Sequence, residues 1–212
     1  MSPHLFPVDL PKGQILHNSG QLIETVYFME DGVCSIVTTM ENGMTVEVGI
    51  IGHDGFVGMP VVLGTFQSLN QSFIQVPGHG FQIRAKILTE QFETSESLRL
   101  SLLRAVQGLL VQSAQTSACN RVHELPERLA RWLLMCLDRV RGNRILITQE
   151  FLATMLGSRR SSVTVAAGML HRAGILEYNR GEVTVLSREG LEQATCECYR
   201  VVHNEFVRLG LL

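Results

Sequence analysis

The sequence predicts an α+β fold: an N-terminal antiparallel β-roll of jelly-roll type, a long helix, and a C-terminal winged helix-turn-helix. Three observations carry that prediction. Eleven of the 19 glycines and five of the six prolines lie in residues 1–80, between apolar runs of strand length. Residues 89–122 contain no proline and a single glycine, Gly108, and repeat side-chain types at alternating spacings of four and three. Residues 148–170 place Ala153, Gly157 and Val163 at the offsets that two closely crossing helices require.

The strand candidates in the first part are Thr25–Met29, Val33–Thr39, Thr45–Ile51, 56–63 and 73–76. Each is bounded by turn residues such as Asp31-Gly32. Glu41-Asn42-Gly43, between two of these runs, reads as a hairpin. Residues 1–88 are therefore expected to form the β-roll.

In residues 89–122, Leu98, Leu102, Ala105, Leu109, Gln112, Thr116 and Cys119 form a heptad stripe. A helix of roughly 30 residues extends ~45 Å, long for a domain of this size. This favours a helix shared between subunits over one packed on its own domain. The sequence predicts a parallel homodimer with Leu98, Leu102, Ala105, Leu109, Gln112 and Thr116 at the interface.

Residues 123–212 read as the third unit. Pro126 fits the first turn of a helix, where its missing N–H costs little. Leu129, Trp132, Leu133, Cys136 and Leu137 give that helix one apolar face, and Gly142-Asn143 ends it. Ile145-Leu146-Ile147 is a short extended segment, and Thr148 is an N-cap candidate. Leu152, Met155 and Leu156 make an apolar face, Gly157 permits a sharp turn, and Val163 packs back against Ala153. The exposed start of the second helix is Arg159, Arg160, Ser161, Ser162 and Thr164. In a helix-turn-helix these positions meet base edges in the major groove. Arginine reaches guanine O6 and N7, whereas Ser and Thr contact bases or phosphate. Thr148 and Gln149 open the first helix and are expected to contact phosphate, because a helix N-terminus favours anions. Residues 174–186 read as a β-hairpin wing turning at Asn179-Arg180-Gly181, with Arg180 at its tip within reach of phosphate. Residues 187–212 read as one further helix.

Composition narrows the function. With 45% hydrophobic and 18% charged residues the chain is an ordinary globular protein. No apolar run approaches the ~18 residues of a membrane span, and the N-terminus has neither a basic start nor a long apolar stretch, so neither a membrane anchor nor a secretory leader is expected. Five scattered cysteines (34, 119, 136, 196 and 198) fit a reducing cytoplasm better than a disulfide framework. The net charge of −2 hides an asymmetry: residues 1–120 carry −5 and residues 121–212 carry +3, with all thirteen cations of the second part arginine. An acidic part joined to an arginine-only basic part points to nucleic acid.

With these residues in view, the chain resembles the Crp/Fnr family of bacterial transcription regulators over nearly its whole length. Leu10-Pro-Lys-Gly13, Val26 to Gly32 and Gly55-Phe-Val-Gly58 are similar to the family's β-roll. The resemblance implies a homodimer on a roughly palindromic double-stranded operator, RNA polymerase as a further partner, and an effector pocket near Phe56, Val57, Gly58, Met59, Leu63, Gln71 and Ser72. Cyclic-nucleotide-binding members carry a Gly-Glu pair and an Arg-Ser/Thr pair; here these positions read Gly58-Met59 and Gln71-Ser72. Both charged anchors are gone, so cyclic AMP and cyclic GMP are not expected as ligands. The recognition helix also departs from the family's Ser-Arg-Glu-Thr-Val-Ser-Arg: Arg160 keeps the first arginine, Ser161 replaces Glu, and Val165 replaces the second arginine. A different operator preference is implied.

No cofactor or metal is expected. Cys34 stands alone in the first 118 residues, unlike the clustered cysteines of the family's iron–sulfur members. Cys196-x-Cys198 falls in the expected C-terminal helix, where residues two apart point away from each other. A cupin-like metalloenzyme is the competing class, but it needs clustered histidines, and no His-x-His pair occurs. A ligand-binding scaffold without DNA binding is the third reading, and the intact Arg159-Arg160 pair argues against it.

Overall fold

The computed structural model describes residues 2–179 and 181–212. The N-terminal roll contains β1 (Phe6–Leu10), β2 (Ile15–His17), β3 (Thr25–Met29), β4 (Val33–Thr39), β5 (Thr45–Ile51), β6 (Phe56–Val57), β7 (Gln71–Val76) and β8 (Gly78–Arg84). They make two antiparallel sheets, ordered β1-β8-β3-β6 and β2-β7-β4-β5. Their inner faces meet in a core that includes Leu10, Val26, Met29, Phe56, Ile74 and Ile83. The expected run 56–63 divides. Gly58, at φ 114, turns the chain out of β6, and Pro60 then starts a 3₁₀ turn over Met59–Leu63. β1, β2 and β8 are additional to the expected strands; the Gly-His-Gly start of β8 reads as a turn in sequence.

The helix expected over 89–122 is two helices. α1 (Ala85–Thr94) closes the roll with Ala85 and Leu88. Ser95 is extended, and its side chain accepts from Leu98 N to cap α2 (Glu96–Val122). At 27 residues α2 is ~40 Å long.

The stripe assigned to a dimer interface faces inward instead. Leu102 and Ala105 are buried in the roll core, and Leu98 and Leu109 pack against it. The cause lies in β5, an edge strand with unpaired backbone groups. Gln112 is fully buried; its amide accepts from Ile50 N at 2.6 Å and donates to Ile50 O at 3.2 Å. Thr116 accepts from Arg131 Nη1 at 3.1 Å. The six side chains are thus occupied within the chain. A second heptad stripe, Leu100, Leu103, Gln107, Leu110, Ala114, Ser117 and Arg121, lies on the outward side of the helix.

The C-terminal part comprises α3 (Leu125–Leu137), β9 (Arg144–Leu146), α4 (Gln149–Met155), α5 (Arg160–Arg172), β10 (Leu176–Asn179), β11 (Glu182–Val185), α6 (Arg188–Ala194) and α7 (Cys198–Leu209). Residues 187–212 therefore form two helices, not one. The chain breaks at Thr195, which is extended, and Cys196 precedes α7.

α3 is buried at every position from Leu129 to Leu137, because it lies between the roll and the helix-turn-helix. Two polar contacts fasten it to the roll. Arg139 donates to Asp54 through Nε (3.0 Å) and Nη2 (2.5 Å), with both side chains almost completely buried. The arginine stem lies over Gly52, where a Cβ would come within 2.8 Å of it. Removing one partner of such a pair strands a buried charge and costs ~3–5 kcal/mol. Beside it, Glu47 accepts from Trp132 Nε1 at 2.7 Å and from Ser35 Oγ at 2.8 Å.

Burial raises the Glu47 carboxyl to about 7, against the opposing hydrogen bonds from Ser35 and Trp132. The folded protein therefore holds this proton more tightly than the unfolded chain. The stabilisation is complete below the ordinary carboxyl range and is lost as pH rises through about 7. Thermal melts between pH 5 and 8 are expected to show wild type losing about 3 kcal/mol that Glu47→Gln does not lose. Parallel pH profiles for the two proteins would contradict the assignment.

Candidate nucleic-acid interface and sensor pocket

α4 and α5 cross as the sequence spacing requires. Thr148 caps α4 by accepting from Phe151 N at 3.2 Å. Gly157 adopts φ 57 at the turn, and Ser158 N donates to Ala153 O at 2.8 Å. Val163 is completely buried, with Ala153, Ala166, Ala167 and Leu170 around the crossing.

That packing presents the other face of α5 to solvent. Arg159 is its N-cap residue, and Arg159, Arg160, Ser161, Ser162 and Thr164 are all exposed. Among the described residues neither the Arg159 nor the Arg160 side chain has a hydrogen-bond or ion-pair partner, so both guanidinium groups are available to a ligand. Gln149 is half-buried and is tied to α5: Thr164 Oγ1 donates to Gln149 Oε1 at 2.7 Å. Thr148 is exposed at the α4 start, with Glu150 beside it. β10 and β11 pair from Leu176↔Val185 to Asn179↔Glu182, and β9 completes the sheet. The wing is therefore present, while Arg180 lies outside the described residues. One element was missed. Met169 is exposed on α5 one turn beyond the exposed Val165, and a sequence reading weighted towards polar side chains passes over it.

The second site is a cavity of about 200 Å³ between the roll and α2. Of the expected residues, Gly58, Met59, Leu63 and Ser72 line it. Phe56 and Val57 do not; both are buried in the roll core. Gln71 also turns elsewhere, donating to Asn18 Oδ1 at 3.1 Å. His17, Asn70, Leu109, Leu110 and Ser113 add to the lining, and α2 supplies the last three. The α2 contribution depends on how that helix crosses β5, which no local pattern encodes. Among the described residues, no lining side chain is Lys or Arg. His17 Nε2 lies 2.8 Å from Thr25 O and donates to it, and burial lowers its pKa, so the ring is neutral near pH 7.

A cyclic nucleotide-binding domain is matched by residues 7–95 and a Crp-like helix-turn-helix domain by residues 127–194. Together they span 157 of the 212 residues. Comparison with curated proteins gives no match. Among solved structures, FixK2 from Bradyrhizobium japonicum is similar with a TM-score of 0.73 at 13% identity, over 91% of this chain and 98% of that one. A CRP/FNR-family transcriptional regulator from Thermus thermophilus gives 0.71 at 18% identity, over 89% and 97%. The c-di-GMP-responsive global regulator CLP of Xanthomonas campestris gives 0.67 at 16% identity, over 87% and 95%. At these identities the likeness establishes the fold. Among the described residues, no helix is long and apolar enough to cross a membrane.

Proposed function

Because the chain belongs to the Crp/Fnr family of transcription regulators, we propose that it binds a roughly palindromic double-stranded operator as a homodimer in the cytoplasm, acting as a regulator rather than an enzyme. RNA polymerase is the further protein partner in this reading. The observation that carries it is the exposed Arg159-Arg160 pair at the N-terminal end of α5, held outward by Val163 and unpaired among the described residues. Arg160 is the base-reading cation, aimed at guanine. Ser161, Ser162 and Thr164 take bases or phosphate, and Thr148 and Gln149 take phosphate from the start of α4. The wing turn at Arg180 adds a phosphate contact in this reading. Val165 offers an apolar contact to a thymine methyl where the family has its second arginine.

The dimer is assigned to the outward stripe of α2 around Leu103 and Leu110, since the inward stripe is filled by the chain's own core. Leu110 also lines the sensor cavity, so a partner helix on this stripe would close the cavity mouth and couple effector to assembly. The cavity chemistry favours an uncharged effector. A cyclic phosphate would sit with no cation, beside Met59 in place of a carboxylate. At about 200 Å³ the space is also below the usual ~300–1,000 Å³ of small-molecule sites.

Three measurements test this reading. Arg160→Ala is expected to weaken operator binding by ~1–3 kcal/mol and relax preference at one base position. Binding with unchanged sequence preference would remove Arg160 from base readout. Leu110→Asp is expected to turn the dimer into a folded monomer by light scattering; a dimer that survives unchanged excludes the outward stripe. Calorimetry with cyclic AMP and cyclic GMP is expected to show no binding in the micromolar range, and low-micromolar binding of either would overturn the uncharged-effector reading.

A further inference from the structure

Three cysteines and one histidine from distant parts of the chain converge where α2 meets the C-terminal helices. Cys119 and His123 lie four residues apart, at the end of α2 and its C-cap, and so share a face. Cys196 and Cys198 flank the start of α7, where the break after α6 turns both thiols to one side. The four ligand atoms, three Sγ and the His123 ring nitrogen, all lie within 4.8 Å of one another. Cys119 Sγ and Cys196 Sγ are 3.5 Å apart, and Cys198 Sγ is 3.5 Å from His123 Nδ1. Around one zinc ion, bond lengths of ~2.3 Å to sulfur and ~2.0–2.1 Å to nitrogen place tetrahedral ligands about 3.5–3.8 Å apart. An iron–sulfur cluster needs its sulfurs farther apart than this set stands.

We propose that Cys119, His123, Cys196 and Cys198 bind one zinc ion in a closed tetrahedral Cys₃His site. The surroundings match that chemistry. His123 Nε2 is 3.1 Å from Glu197 Oε2, so a carboxylate orients the ring and leaves Nδ1 free as ligand. Gln115 Nε2 donates to Cys198 Sγ at 3.1 Å. All three cysteines are buried, and four protein ligands leave no coordination position for water, as in a structural zinc site. Three thiolates, a neutral imidazole and Zn²⁺ carry a net charge of −1. The counter-charge is already in place: Arg131 is 3% exposed, its Nε has no hydrogen-bond partner, and it meets no carboxylate within ion-pair distance among the described residues. A cleft of about 380 Å³ lined by Glu189, Glu192, Glu197 and Cys196 gives a cation a route in. On binding, the thiol protons pass to solvent.

The ion ties the end of α2 to the corner between α6 and α7. That end also touches the helix-turn-helix: Arg128 bonds both Asn120 Oδ1 and the carbonyl of Leu156 at the end of α4.

The test uses the full-length protein. Elemental analysis after purification without chelator is expected to show one zinc per protomer. Protein stripped with chelator under reducing conditions is then titrated with Co²⁺. Strong tetrahedral ligand-field bands with thiolate charge transfer are expected, saturating at one equivalent and lost on adding Zn²⁺. At free zinc 100 times its Kd, the folding equilibrium should shift by about 100-fold. Cys198→Ser and His123→Ala are expected to abolish the cobalt spectrum, and Glu197→Gln to keep its shape while weakening affinity ~10–100-fold. Circular dichroism checks that each variant folds, and Glu197→Gln keeps the test open if a cysteine variant does not. Weak octahedral bands, a cobalt spectrum unchanged in Cys198→Ser, or metal-free protein carrying a Cys119–Cys196 disulfide would each overturn the proposal.

Discussion

The buried clamp between the roll and α3 sets the position of everything that follows it in the chain. Asp54 and Arg139 meet with both side chains out of water, and the arginine stem fits only because residue 52 lacks a side chain. Glu47 and Trp132 extend the same seam. Two charges taken out of water are costly unless their geometry is good and their remaining hydrogen-bonding groups are met. Here the third guanidinium nitrogen, Nη1, reaches Met135 O at 2.6 Å, and the Phe206 ring stacks beside the group. The seam is therefore specific: a slipped or rotated α3 would strand a carboxylate. Because α3 carries the helix-turn-helix on its far side, this specificity reaches Arg159 and Arg160, which are set in place through α3 and the α4–α5 crossing.

Much of the architecture was legible because it is local. The strands β3, β4 and β5 are apolar runs between turn signals, and Ala153, Gly157 and Val163 each answer one steric demand of the helix crossing. What escaped depends on distant partners. The heptad stripe from Leu98 to Thr116 was real, but its spacing could not tell a second copy from the chain's own β5. Gln112 decides the matter, since an amide that pairs with an edge strand is wasted in a subunit interface. In the sensor cavity, Phe56 and Val57 lie adjacent in sequence to lining residues but one layer behind them.

The cysteine–histidine cluster was missed for a different reason. Cys119 and His123 lie more than seventy residues before Cys196, and neither pair alone resembles a ligand motif. The apparent objection, that residues 196 and 198 point apart on a helix, fails because α7 begins only at Cys198. Thr195 ends α6 in an extended conformation, and its hydroxyl donates to Glu127 O at 3.4 Å, fixing the corner against α3. A break of three residues converted an unpromising spacing into a convergent one.

One last consequence belongs to α2. Along its 27 residues it pairs with an edge strand, walls a cavity, bares a leucine seam and ends in a thiol. These four jobs sit on different sides of one rod and are kept in phase only by the count of residues between them. A single inserted or deleted residue would swing everything beyond it by ~100°. The helix can change length only in whole heptads, so among descendants of this chain its length should be the slowest character to vary.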